Sequence, residues 1–231
     1  MWPLPTLQND IITISFSPDN LVCSWIQKTD NQSRIEIKAY QRTTLEHLEL
    51  EKLILFNPTH IKNIITTFTS KLNKNNAFIA FSLHGLSIVE EYITLASSTP
   101  KREDFGIPHS SNRLWNYQYL YQNDKGQFVF YLYKVPRSLL LQYKLLAIAT
   151  KSNLITITTQ NIALLQCYKN IALRQSTFAV AMMQHHNNLE LLISSEIMQQ
   201  VMTIPSNICI KEELPYLATS YGLFISQGLH S

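Results

Sequence analysis

Three β-branched bursts, residues 11–16, 21–27 and 35–40, crowd the start of the chain, and one clear helix follows them. Pro18-Asp19-Asn20 and Asp30-Asn31-Gln32-Ser33 read as the turns between the bursts. Pro58 then opens a segment in which Ile61, Ile64, Ile65, Phe68 and Leu72 recur at the helical period. Residues 78–81 and 86–95 read as two more strands around Ser82-Leu83-His84-Gly85. An order of three strands, a helix and further strands predicts an α/β chain, with mixed sheets covered by helices.

The remainder continues that alternation. Residues 115–121 and 127–135 predict a hairpin closed by Asn123-Asp124-Lys125-Gly126. Pro136 starts a helix with Leu139, Tyr143 and Leu146 on one face, which Leu141, Leu145 and Ile148 widen. Residues 154–158 read as a strand and 161–171 as a helix. A second hairpin is expected over 177–183 and 189–194, extended by 197–204. A closing helix over 214–225 places Leu214, Leu217, Tyr221 and Phe224 together, with Glu212 and Glu213 at its N-terminus. Residues 96–113 are the most loop-like stretch, the expected place for a subdomain boundary or a surface excursion.

Composition excludes several function classes. Five glycines in 231 residues are about 2% of the chain, against a usual figure of about 7%. No two stand close enough for a Gly-x-Gly pattern, which excludes a dinucleotide fingerprint and a P-loop. The net charge is +3 and the basic residues are scattered, so nucleic acid is not an expected partner. No apolar run approaches the roughly 20 residues of a membrane span, and the N-terminus shows no secretory signal. Cys23, Cys167 and Cys209 each lie in an apolar segment and read as buried free thiols in a reducing compartment.

Few residues suggest chemistry. There is no Gly-x-Ser-x-Gly elbow and no Cys in a catalytic context. His185 and His186 would point to opposite sides of a strand, and a solvated turn suits them better than one shared ion. Glu90 and Glu91 split across faces in the same way, and Asp19 and Asp104 suit turns. No catalytic, cofactor-binding or metal-ligating residue is nominated, and no cofactor is expected. Trp115, Tyr117, Tyr119 and Tyr121 alternate along one strand, so they share one face. That face is either core or an exposed stripe for a peptide, and the strand edge beside it is a candidate for capturing an extended segment.

One resemblance spans most of the chain. Residues 131–149, Tyr-Leu-Tyr-Lys-Val-Pro-Arg-Ser-Leu-Leu-Leu-Gln-Tyr-Lys-Leu-Leu-Ala-Ile-Ala, and 154–168, ending Ala-Leu-Leu-Gln-Cys-Tyr, resemble the PilM family of type IV pilus assembly proteins. Residues 78–91 look like that family's strand, turn and returning strand, and Ala218-Thr219-Ser220-Tyr221-Gly222-Leu223-Phe224 like its closing helix. The resemblance implies an actin-like (ribonuclease H-like) fold with a shortened second half. It divides the chain into a first subdomain, 1–130, with a small insertion near 96–126, and a second, 131–231. The segments 14–21 and 180–189 then stand where actin-like ATPases carry two phosphate loops. Ser15 and Ala181 replace the carboxylate positions there, and Ser17 and Met183 the glycines.

The shortened form is also similar to the cytoplasmic domain of the GspL group of type II secretion proteins. The implied role is a non-catalytic, pseudo-ATPase scaffold in the cytoplasm, peripheral to the inner membrane. It would grip the N-terminal cytoplasmic tail of a PilN-like membrane partner, with self-association a further expectation. Two alternatives stay open: a nucleotide-binding ATPase of the same machinery with Asp19 as magnesium ligand, and an unrelated α+β interaction domain.

Overall fold

The computed structural model describes residues 8–17, 19–29, 34–45, 58–85, 87–108, 111–172 and 193–227. The three opening bursts form an antiparallel meander of β1 (Asp10–Phe16), β2 (Asn20–Lys28) and β3 (Ile35–Thr44). Helix α1 (Pro58–Lys71) follows, burying Ile61, Ile64, Ile65 and Phe68 as the periodicity predicts. Strand β4 (Phe78–Leu83) pairs in parallel with β1. The chain then leaves this sheet for β5 (Val89–Leu95), β6 (Arg113–Gln122) and β7 (Phe128–Pro136), which build a second, antiparallel sheet in the order β5-β7-β6. β4 and β5 are therefore not a hairpin, although one turn separates them.

Helix α2 (Arg137–Ala149) leads back to β8 (Asn153–Thr159), which pairs in parallel with β4. Helix α3 (Gln160–Ala172) follows directly. After residues 173–192, helix α4 (Ser195–Val201) runs into β9 (Met202–Thr203), and α5 (Ile210–Ile225) closes the fold. The large sheet has the order β8-β4-β1-β2-β3-β9. The expected boundary at 130/131 falls inside β7, and β8 joins β4 from its far side. The expected second hairpin, 177–183 with 189–194, lies largely outside the described residues, as do Ala181, Met183, His185 and His186.

Alternation along the central strands sorts side chains to two cores. Ile12, Ile14 and Phe16 of β1 and Ile79, Phe81 and Leu83 of β4 face α1 and α2. There Phe16, Phe81 and Tyr143 meet, with Tyr143 edge-on to the other two at 5.2 and 5.4 Å. Ile11, Ala80, Ile26 and Ile37 face the opposite way, against α3, α4 and α5. The small sheet packs one face into that same core through Leu120, Val129 and Tyr131. Its other face is covered by Phe105, which ends a short 3-10 turn over Arg102–Phe105, and by Ile107 just after it. The stretch expected to be a surface excursion thus supplies part of a core.

Three expectations are corrected by packing. Residues 197–204 form α4 and β9 rather than one strand, because the Ser194 hydroxyl caps the helix by accepting from the Ile197 N–H while Met198 and Val201 are buried. The face of α2 that carries Leu141, Leu145 and Ile148 does not join the core: these side chains stay exposed while Leu139, Tyr143 and Leu146 are buried. Cys209 is exposed, whereas Cys23 and Cys167 are buried.

Candidate functional site

Strands β1, β4 and β8 run parallel, and their C-terminal ends define the edge where ligands of open α/β sheets bind. At β1 that edge is the turn into β2. The Ser17 N–H donates to the Asn20 carbonyl at 2.9 Å, and the Tyr216 hydroxyl from α5 donates to Ser17 Oγ at 3.1 Å. Arg42 of β3 reaches Asn20 Oδ1 at 3.0 Å and Glu213 of α5 at 3.1 Å, with its guanidinium 5.2 Å from the centre of the Tyr216 ring. The Tyr40 hydroxyl donates to the other Glu213 oxygen. Burial and that carboxylate push the Tyr40 pKa far up, so Tyr40 is a permanent donor.

Asp19 is exposed on this turn and its carbonyl accepts from the Leu45 N–H at 2.8 Å. Ser15, at the expected carboxylate position, is buried against the α3 and α5 side. At β8 the edge is also occupied by the protein's own groups: the Thr159 hydroxyl and the Asn161 amide both donate to Glu90 of β5. Glu91, next along β5, pairs with Lys134.

A different cavity opens between the small sheet and α3. β6 is an edge strand, with β7 its one partner among the described residues. Against it lies a cavity of about 190 Å³ whose lining includes Asn116, Gln118, Tyr133, Thr158, Ile162, Gln166, Lys169 and Ser226. Gln166 Nε2 donates to Gln118 Oε1 at 3.2 Å, which leaves Gln118 Nε2 buried with no partner. Thr158 Oγ1, on a residue only 2% exposed, has none either. A buried polar atom left unpaired costs about 1–3 kcal/mol, so these two groups mark where an incoming polar partner would be repaid.

The two hydroxyls next to Thr158 extend the pattern. Ser15 is in register with Ser82, and Ser82 with Thr158, across three adjacent parallel strands. All three are buried and none of their hydroxyls is hydrogen-bonded. The row runs from the β1 edge to the cavity beside β6.

The aromatic strand is only half as expected. Trp115, Tyr117 and Tyr119 do share a face: Trp115 stacks on Tyr117 at 6.3 Å, Phe105 and Phe130 pack on Tyr117, and Tyr119 remains 45% exposed. An irregularity between Tyr119 and Tyr121 turns Tyr121 to the other side, where it packs on the core shared with α3. Asn116, Gln118, Thr158 and Lys169 were not singled out by sequence. The alternation of Asn116 and Gln118 with aromatics was visible, but a polar face on a hairpin reads first as solvated surface.

No protein-family model matches the chain, and no curated protein matches it. Among solved structures, the chain is similar to one titled a PilM-PilN type IV pilus biogenesis complex, at 11% identity and a TM-score of 0.55, over 70% of this chain and 51% of that one. It also matches the cytoplasmic domain of EpsL, an inner membrane component of the type II secretion system of Vibrio cholerae, at 8% identity and a TM-score of 0.42, over 67% and 57% of the two chains. A Bacteroides thetaiotaomicron protein with an actin-like ATPase fold matches at 14% identity and a TM-score of 0.35, over 74% and 59%. The chain spans about half the length of the PilM structure. Among the described residues no helix is long and apolar enough to cross a membrane. The chain has an actin-like fold, α/β in class, of the kind seen in PilM.

Proposed function

We propose that this protein is a non-catalytic, actin-like scaffold of a type IV pilus, competence or type II secretion platform, which holds the cytoplasmic tail of a PilN-like membrane protein in the cleft beside β6. The cleft carries the reading. It presents the β6 edge, unpaired among the described residues, to an extended segment, with apolar walls from Ile162 and Tyr133 and two buried polar atoms, Gln118 Nε2 and Thr158 Oγ1, that lack partners. Main-chain hydrogen bonds along such an edge supply affinity, and side-chain pockets supply selectivity. The fold shared with a structure solved as a PilM-PilN complex supports this choice of partner. Attachment to the inner membrane would then run through the tail.

The pseudo-ATPase part of the proposal rests on the β1 to β2 turn. Ser15 and Ser17 stand where a carboxylate and a glycine would serve a nucleotide, and Tyr216 and Arg42 cover the turn. A side chain at the glycine position crowds a bound phosphate. The test is thermal unfolding of the protein with a synthetic N-terminal tail of a PilN-like membrane protein, and separately with magnesium-ATP. A ligand at one hundred times its Kd stabilises the native state by about 2.7 kcal/mol. A rise in Tm with the tail, lost in Thr158→Val, is expected. A rise with magnesium-ATP and none with the tail overturns the reading.

A further inference from the structure

The strongest unexplained surface lies on the opposite side of the large sheet from the β6 cleft. On α2, Leu141, Leu145 and Ile148 are 54%, 53% and 70% exposed. Their spacing of four and three residues aligns them as one ridge about 10 Å long, at 1.5 Å per helical residue. Beside the ridge, an apolar groove of about 390 Å³ runs between α2 and the start of α1, lined by Pro58, Thr59, Lys62, Leu145, Leu146 and Ala149. A ridge next to a groove is the geometry that receives an amphipathic helix, whose own apolar side chains fill the groove and straddle the ridge.

Charge decides what kind of helix. Lys62 stands in the groove wall, Lys144 is three residues from Leu141 and four from Ile148, and Lys151 follows the end of α2. Neither α1 nor α2 contains an Asp or Glu. A second copy of the chain placed symmetrically on this face would set lysine against lysine. A bilayer surface would meet the ridge but leave the recessed groove without contacts, forfeiting dispersion energy that a side chain would recover.

We propose that the α1/α2 face is a second docking surface, for an acidic amphipathic helix of a partner protein, independent of the β6 cleft. The helix would set leucine-type side chains into the groove between Pro58 and Ala149 and glutamates or aspartates against Lys62 and Lys144. A chain with both surfaces would join two partners, which is what a platform scaffold requires.

The test uses fluorescent synthetic helices of one apolar pattern, flanked either by glutamates or by lysines, titrated against the whole protein by anisotropy. The acidic helix is expected to bind at least about tenfold more tightly than the basic one. Leu145→Ser with Ile148→Ser, both at exposed positions, should weaken it by about tenfold or more. Lys62→Glu with Lys144→Glu should reverse the preference between the two helices. Equal binding of both helices overturns the proposal. So does recovery of the protein on vesicles of equal phosphatidylglycerol and phosphatidylcholine when neither helix binds. A photo-crosslinker placed at Leu145 that joins residues 46–57 of the same chain, or a second copy, likewise overturns it.

Discussion

His84 follows β4, with its ring half-buried and its backbone N–H donating to the Tyr143 hydroxyl at 3.4 Å. Burial holds its pKa below the ordinary imidazole value, so the folded state prefers it neutral. The unfolded chain therefore binds a proton first as pH falls, and the contribution of His84 is complete above about pH 6.5 and lost as pH drops through and below that value. Urea midpoints between pH 7 and 5 should fall less steeply for His84→Gln than for the parent; equal slopes would remove His84 from the acid response. The cysteines show how far residue-level reading reaches. An apolar neighbourhood correctly marked Cys23, whose thiol burial pushes up to about 12, and Cys167. It failed for Cys209, which sits exposed at the N-cap of α5. Gln118 and Thr158 were illegible for a related reason: an unpaired atom is a property of its surroundings, not of its residue type.

Elements were legible where one periodicity ruled them and obscure where two elements had to meet. α1 and the β6–β7 hairpin follow directly from spacing and turn chemistry, with Asn123 Oδ1 accepting from the Lys125 and Gln127 N–H groups and Gly126 at φ +74°. Gly222 is the contrary case. A Cβ there would stand 1.8 Å from the Ala163 carbonyl oxygen, because α3 and α5 approach each other backbone to backbone. Two residues before it on the same helix, the Ser220 hydroxyl meets that of Ser24 on β2 at 3.2 Å. Gly222→Ala should cost about 3 kcal/mol in denaturant unfolding, the upper range for overpacking. Adding Ala163→Gly should restore little of it, since the clash is with main chain; full recovery would mean the helices do not cross here. Nothing local distinguishes Gly222 from a glycine that merely weakens a helix.

At the scale of the molecule, the connections decide the architecture. β8 completes the large sheet, β9 extends its other end beside β3, and α5 lies across the sheet while reaching Gln8 through Gln227. Side chains from both sheets share the core around α3. One cooperative unfolding transition is expected, reported alike by Trp25 in the large sheet and Trp115 in the small one, using single-tryptophan variants in urea. Two separated midpoints would show that the small sheet unfolds alone. The sequence by itself determined the α/β class, most of the elements, the scarcity of glycine that leaves no phosphate-binding pattern, and a resemblance whose fold the structure bears out. Those properties are local: period, turn chemistry and composition are written in neighbouring residues. Only the tertiary structure decided that β4 pairs with β8 rather than β5, that Leu141, Leu145 and Ile148 face water, and that β6 stands over a cavity with unpaired polar groups. Each of these depends on which distant segment arrives to cover a face, and that choice is made by packing across the whole chain.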